Sequence, residues 1–149
     1  MERKSYLRSI NLLSTSIGII YCWFGLLKFF LGYSPAEQLA IATIRALTFK
    51  LLPDHVSLML LAIFESAIGL LFIFKWFMRQ ALALMFMHMF FTFLPFLLFP
   101  SQTFAHIPYD FTLLGQYIMK NVIIISAGLV LWQHYHLVNA RLKIETPSI

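Results

Sequence analysis

The stretch YCWFGLLKFFLGYSPAEQLAIATI, residues 21–44, joins the end of one apolar helix to the start of a Pro-led one. It carries Lys28 inside the apolar part. A lysine within a membrane-length apolar run is costly unless it faces a polar partner. The rest of the chain is therefore read for that partner.

The run around it is one of several. Hydrophobic residues make up 60% of the 149 and charged residues only 11%, against about 25% charged in soluble domains. This predicts a single all-α membrane domain over residues 1–149, a four-transmembrane-helix bundle with an extra interfacial helix after the first span. The net charge of +5 comes largely from residues at the ends of apolar runs, as the positive-inside rule requires. A nucleic-acid face would cluster them on one folded surface, so nucleic acid is excluded as a partner and the lipid bilayer takes its place.

Spans are expected at about 12–32, 56–76, 80–99 and 113–135, each near the ~20 residues a crossing needs. In the first, Gly18, Gly25 and Gly32 stand seven apart on one helical face, with Ser14 and Cys22 beside them. Such a small-residue seam admits a close neighbour. Lys28 follows Gly25 by three positions on that face, so it should point into the bundle. Cys22 is the only cysteine and is read as a packing residue, with no disulfide or thiolate metal site available to it.

Ser34-Pro35-Ala36-Glu37 has the form of a helix start, with Ser as N-cap, Pro at the first helical position and Glu at the third. The helix it predicts, about 35–52, holds Arg45 and Lys50 and is placed at the interface, across the outer mouth of the bundle. Pro95 should kink the third span, with His88, Thr92 and Pro95 on one stripe, and Pro100–Asp110 should form a loop. In the fourth, Gln116 and Lys120 share a face with Asn121 beside it. Counting Lys and Arg places both termini in the cytoplasm.

With that topology Lys28, Glu65, His88, Gln116, Lys120 and Asn121 all lie toward the outer half of one bundle. Two lysines and one carboxylate do not balance. The surplus cation points to a ligand bearing carbonyl oxygens or negative charge, such as a quinone, with Phe and Met side chains around its tail. Plainer readings stay open beside it. Lys28 could pair with Glu65, hold the ligand, or extend to the interface. Glu65 and Lys120 could form only an interhelical ion pair, and His88 a hydrogen-bonded core residue. Bis-histidine haem lacks a second deep histidine, and a metal site lacks ligands.

WFGLLKFFLGYSPAE, the glutamate of FESAIGL and GQYIMKN together resemble the DoxX-like membrane proteins, over about residues 17–132. The resemblance implies a small four-helix protein of the bacterial inner membrane. Some relatives serve as the membrane subunit of a thiosulfate:quinone oxidoreductase, and others belong to redox or oxidative-stress complexes. It implies a quinone-linked role beside a partner redox subunit, or a homo-oligomer. With one cysteine, dithiol chemistry is not available to this chain. The alternative is a non-catalytic structural or assembly subunit. A small transporter is disfavoured by four spans without internal repeats.

Overall fold

The computed structural model describes the backbone of residues 2–145 and the side chains of residues 4–137. Residues 146–149 lie outside the described residues, as do the side chains of Arg141 and Lys143. The chain is mostly helical. In order it forms α1 (Glu2–Leu27), α2 (Glu37–Leu47), α3 (Asp54–Phe74), α4 (Met78–Phe93), α5 (Pro95–Leu98) and α6 (Pro100–Thr103). The strands β1 (Phe104–His106) and β2 (Asp110–Phe111) follow, then α7 (Leu113–Met119) and α8 (Asn121–Glu145). Four stretches are long and apolar enough to cross a membrane: Lys4–Leu27, Asp54–Phe74, Met78–Leu98 and Leu113–Leu137.

The closest pairing is α1 against α3, and glycine makes it possible. A Cβ on Gly69 would sit 2.5 Å from Cys22 Sγ, 2.6 Å from Cys22 N and 2.8 Å from the Gly18 carbonyl. One on Gly18 would meet the Gly69 carbonyl at 2.7 Å, and one on Gly25 would meet Ser66 Oγ at 2.6 Å. The two backbones therefore touch along Gly18–Cys22–Gly25 and Ser66–Gly69–Ile73, running antiparallel. Ser14 fastens the same seam by donating to the Phe72 carbonyl at 2.9 Å. The buried apolar core continues from it through Ile68, Phe72, Leu82, Met85 and Leu131.

Gly32, expected on this seam, is not part of it. α1 ends at Leu27, and Lys28, Phe29 and Phe30 donate to the carbonyls three residues back, at 3.1, 3.1 and 3.2 Å. These tighter turns end the α-helix, and Gly32, at φ +83° with nothing near its missing Cβ, lets the chain reverse. Because Gly25 faces Ala62 and Ser66, α1 stops about level with Ala62. α3 continues past it over 54–61, about 12 Å at 1.5 Å per residue. α2 packs against α3.

That helix is shorter than the sequence suggests. It runs Glu37–Leu47 with Ala36 at its N-cap and no side-chain cap. Ser34 is buried with its hydroxyl unpartnered, so it does not cap. Glu37 instead reaches back to accept from the Gly32 N–H at 2.8 Å, which ties the helix start to the preceding turn. Phe49 and Lys50 at positive φ end it before residue 52.

Pro95 interrupts the third span as its position predicts, and the segment after Pro100 departs from the expected loop. Pro95 lacks the N–H that would continue α4, so the span breaks there into α4 and α5. The segment after Pro100, expected to be a loop, contains α6 and a small antiparallel hairpin that pairs Phe104 with Phe111. Phe96 packs on both rings at centroid distances of 5.2 and 5.4 Å.

The seam gives a stability prediction. Gly69→Ala should destabilise the protein by about 1–3 kcal/mol, the usual cost of overpacking. Cys22→Ala should not rescue it, because the new methyl meets backbone as well as sulfur. Denaturation in detergent micelles, followed by tryptophan fluorescence, measures both.

Candidate functional site

Lys28 sits one position beyond the last residue of α1, where a long side chain can run back along the helix toward its N-terminus. It does so. Its Nζ donates to the Phe24 carbonyl at 3.4 Å and reaches Glu65 Oε2 at 2.6 Å. Of the outcomes open to it, the geometry selects the inward one, paired with Glu65 rather than extended to an interface.

Glu65 is presented by α3 from the same side of the seam, and its second oxygen is also engaged. His88 Nε2 on α4 lies 3.1 Å from Glu65 Oε1, and His88 Nδ1 lies 3.1 Å from the Tyr21 hydroxyl. A carboxylate paired with an ammonium can only accept. Nε2 therefore carries the hydrogen toward Glu65, and in the neutral imidazole the Nδ1 lone pair accepts from Tyr21 O–H. The result is one directed chain: Tyr21 to His88 to Glu65, with Lys28 donating from the other side. Tyr21, Lys28 and Glu65 are buried, and His88 is nearly so. The Lys28 and Glu65 side chains are each 8% exposed and His88 is 12% exposed. Burial of two opposite charges is tolerable only when hydrogen bonds of this kind accompany the pair.

These groups line a cavity of about 640 Å³ bounded by α1, α2, α3, α4 and the α7–α8 segment, within the size range of small-molecule sites. α2 gives it Leu39, Ala40, Thr43, Ile44 and Leu47, and α4 gives Met87, Met89, Phe91 and Thr92. The lining is mostly apolar. Thr92 and Pro95 share the cavity wall with His88, the stripe that their spacing indicates.

In the fourth span the inward face is one residue away from the expected one. Tyr117 and Asn121 line the cavity, whereas Gln116 and Lys120 are exposed. Successive residues of a helix differ by about 100°, so a one-position misreading turns a pair outward. Gln116 donates to the Phe111 carbonyl at 3.1 Å, satisfying the hairpin. Lys120, at the single-residue interruption between α7 and α8, places Nζ 4.0 Å from the Tyr117 ring centroid and 5.0 Å from that of Phe24. Asn121 is 8% exposed, and among the described residues no hydrogen bond engages its side-chain amide. Lys28, Glu65, His88 and Asn121 are thus brought together, and Gln116 and Lys120 stand outside them.

Two members escape the sequence reading, Tyr21 and Tyr117. Both carry a spacing signal: Tyr21 precedes Lys28 by seven positions and Tyr117 precedes Asn121 by four. Among the described residues no group of three or more His, Cys, Asp or Glu could hold a metal ion. The chain matches no protein family, no curated protein and no solved structure.

The pair is open to a double-mutant cycle. Glu65→Leu should cost about 3–5 kcal/mol, because it leaves the Lys28 ammonium buried and unpaired. Adding Lys28→Met should recover much of that loss, a non-additivity expected only of directly interacting residues. The readout is the denaturation midpoint of the four purified proteins.

Proposed function

We propose that this protein is a DoxX-like membrane protein that binds a quinone-like molecule in the cavity beside Lys28, Glu65 and His88. The observation that carries this reading is the continuous Tyr21–His88–Glu65–Lys28 chain set into a mostly apolar cavity. Such a site suits a ligand with an apolar body and one head group bearing hydrogen-bond acceptors. The four apolar spans lie in a bacterial inner membrane with both termini cytoplasmic. α2 then rests at the outer interface, over the cavity.

The residues divide the work by what each still has free. Lys28 uses two of its three N–H groups on Glu65 and Phe24, so one remains for a carbonyl oxygen. The Asn121 amide supplies a second donor. The Lys28–Glu65 pair is neutral as a unit, which favours a neutral acceptor such as a quinone carbonyl over a full negative charge. Glu65 and His88 hold Lys28 in place and supply a route for a proton. Chemistry on the bound molecule falls to a partner redox subunit that exchanges electrons with it.

A second reading has its own support. Both oxygens of Glu65 are already engaged within the chain, as a purely structural or assembly role for the cluster requires.

Asn121 separates the two readings. The Asn121 amide faces the cavity and makes no hydrogen bond among the described residues, so removing it should change stability little. The loss of one good hydrogen bond should weaken ligand binding about tenfold, or 1.4 kcal/mol. Equilibrium binding of decylubiquinone to the protein in nanodiscs, wild type against Asn121→Leu, measures this. Absence of quinone binding to the wild type would leave the structural reading standing.

A further inference from the structure

Two walls of the cavity differ in how they are held. On one side lies α2, fastened at both ends. Glu37 accepts from the Gly32 N–H at 2.8 Å, and the Arg45 guanidinium is paired with both oxygens of Asp54 at the start of α3. Between those ties Leu39 and Thr43 are buried, at 2% and 6% exposure. Opening this roof breaks hydrogen bonds and an ion pair together.

The wall between α1 and α7 is built differently. Phe24 and Tyr117 both line the cavity, and their rings meet edge to face with centroids 5.6 Å apart. Among the described residues no hydrogen bond joins these two side chains. Behind them the exposed Lys120 rests its ammonium on both rings. α7 ends at Met119 and α8 begins at Asn121, so the helical ladder is interrupted where Tyr117 and Lys120 are anchored. A side-chain rotation at Phe24 or Tyr117 opens this side without breaking a backbone pair.

We propose that Phe24 and Tyr117 form a lateral window, and that the ligand passes through it from the bilayer. The ligand class follows: a molecule of the membrane phase, whose head group enters between α1 and α7 while an apolar tail trails into lipid. Lys120 acts as the latch on the outer face of the window. The proposal rests on the ligand-binding reading above and adds the route and the phase from which the ligand comes.

The test bridges each side in turn, in a Cys22→Ser background. One variant carries Phe24→Cys with Tyr117→Cys, the other Arg45→Cys with Asp54→Cys. Each pair is bridged by a short bis-methanethiosulfonate reagent and released with dithiothreitol. Association of decylubiquinone with the protein in nanodiscs is followed by stopped-flow tryptophan quenching. Bridging the window should slow association about tenfold or more, a large change for one site, and reduction should restore it. Bridging the roof should leave the rate within about twofold. Slowing by the roof bridge, or none by the window bridge, overturns the lateral route while ligand binding stands. No quinone binding by the unbridged wild type overturns both readings. Where the window variant loses binding before it is bridged, Tyr117→Ala is read instead. Removal of that ring should raise association and dissociation rates together, and unchanged rates overturn the route.

Discussion

The backbone contact between α1 and α3 is the constraint on which the rest depends. Three glycines, Gly18, Gly25 and Gly69, remove the side chains that would hold these helices apart. Ordinary helix pairs stand 8–10 Å apart, and contacts of 2.5–2.8 Å from ideal Cβ positions to backbone and side-chain atoms show how little room is left here. At that separation a lysine leaving the end of α1 can meet a glutamate in the middle of α3. The seam and the ion pair are therefore one device. The glycines set the distance, and the charges fix the register, since a slip of one turn along either helix would separate Lys28 from Glu65.

The pair then determines what surrounds it. An isolated buried carboxylate is a large desolvation cost, and a second donor on the free oxygen reduces it. His88 supplies that donor from α4, and Tyr21 in turn fixes the imidazole. Each added group satisfies the one before it, so the chain propagates from α1 through α3 to α4 and back to α1. Networks of this kind specify one arrangement because a half-made version costs more than none. Their stabilising value as a whole is modest. Their value as a fixed array of donors beside a cavity is larger.

Much of the fold was legible in the sequence, because apolar runs of spanning length and a seven-residue glycine spacing report directly on helices and on the side of a helix that packs. The inward direction of Lys28 followed from Gly25, three positions earlier. What could not be read was local. Where α1 ends depends on turns at Lys28–Phe30 that no apolar run marks. Ser34 and Glu37 have the composition of a capping box, yet the glutamate serves the Gly32 amide and the serine is buried, so the motif was present and its geometry was not. In the fourth span, Gln116–Lys120 and Tyr117–Asn121 are both four-residue pairs. Charge suggested the first faces inward, and packing chose the second. A cation in an apolar run can be satisfied from either side of its helix, as Lys120 is by the faces of two aromatic rings.

The early end of α1 also accounts for there being a cavity. α3 runs on for about 12 Å past the level of Leu27, and among the described residues no further long apolar helix takes the place that another two turns of α1 would fill. α2 covers that gap and cannot fill it. Its apolar residues Leu39, Ala40, Ile44 and Leu47 face the space from one side, while Tyr117 and Asn121 face it from the other. A helix that continued to Leu31 would carry Lys28 within a regular turn and bring Phe29–Leu31 into this volume. The end of α1 at Leu27 therefore does two things at once: it turns the ammonium toward Glu65, and it leaves open the space beside that ammonium.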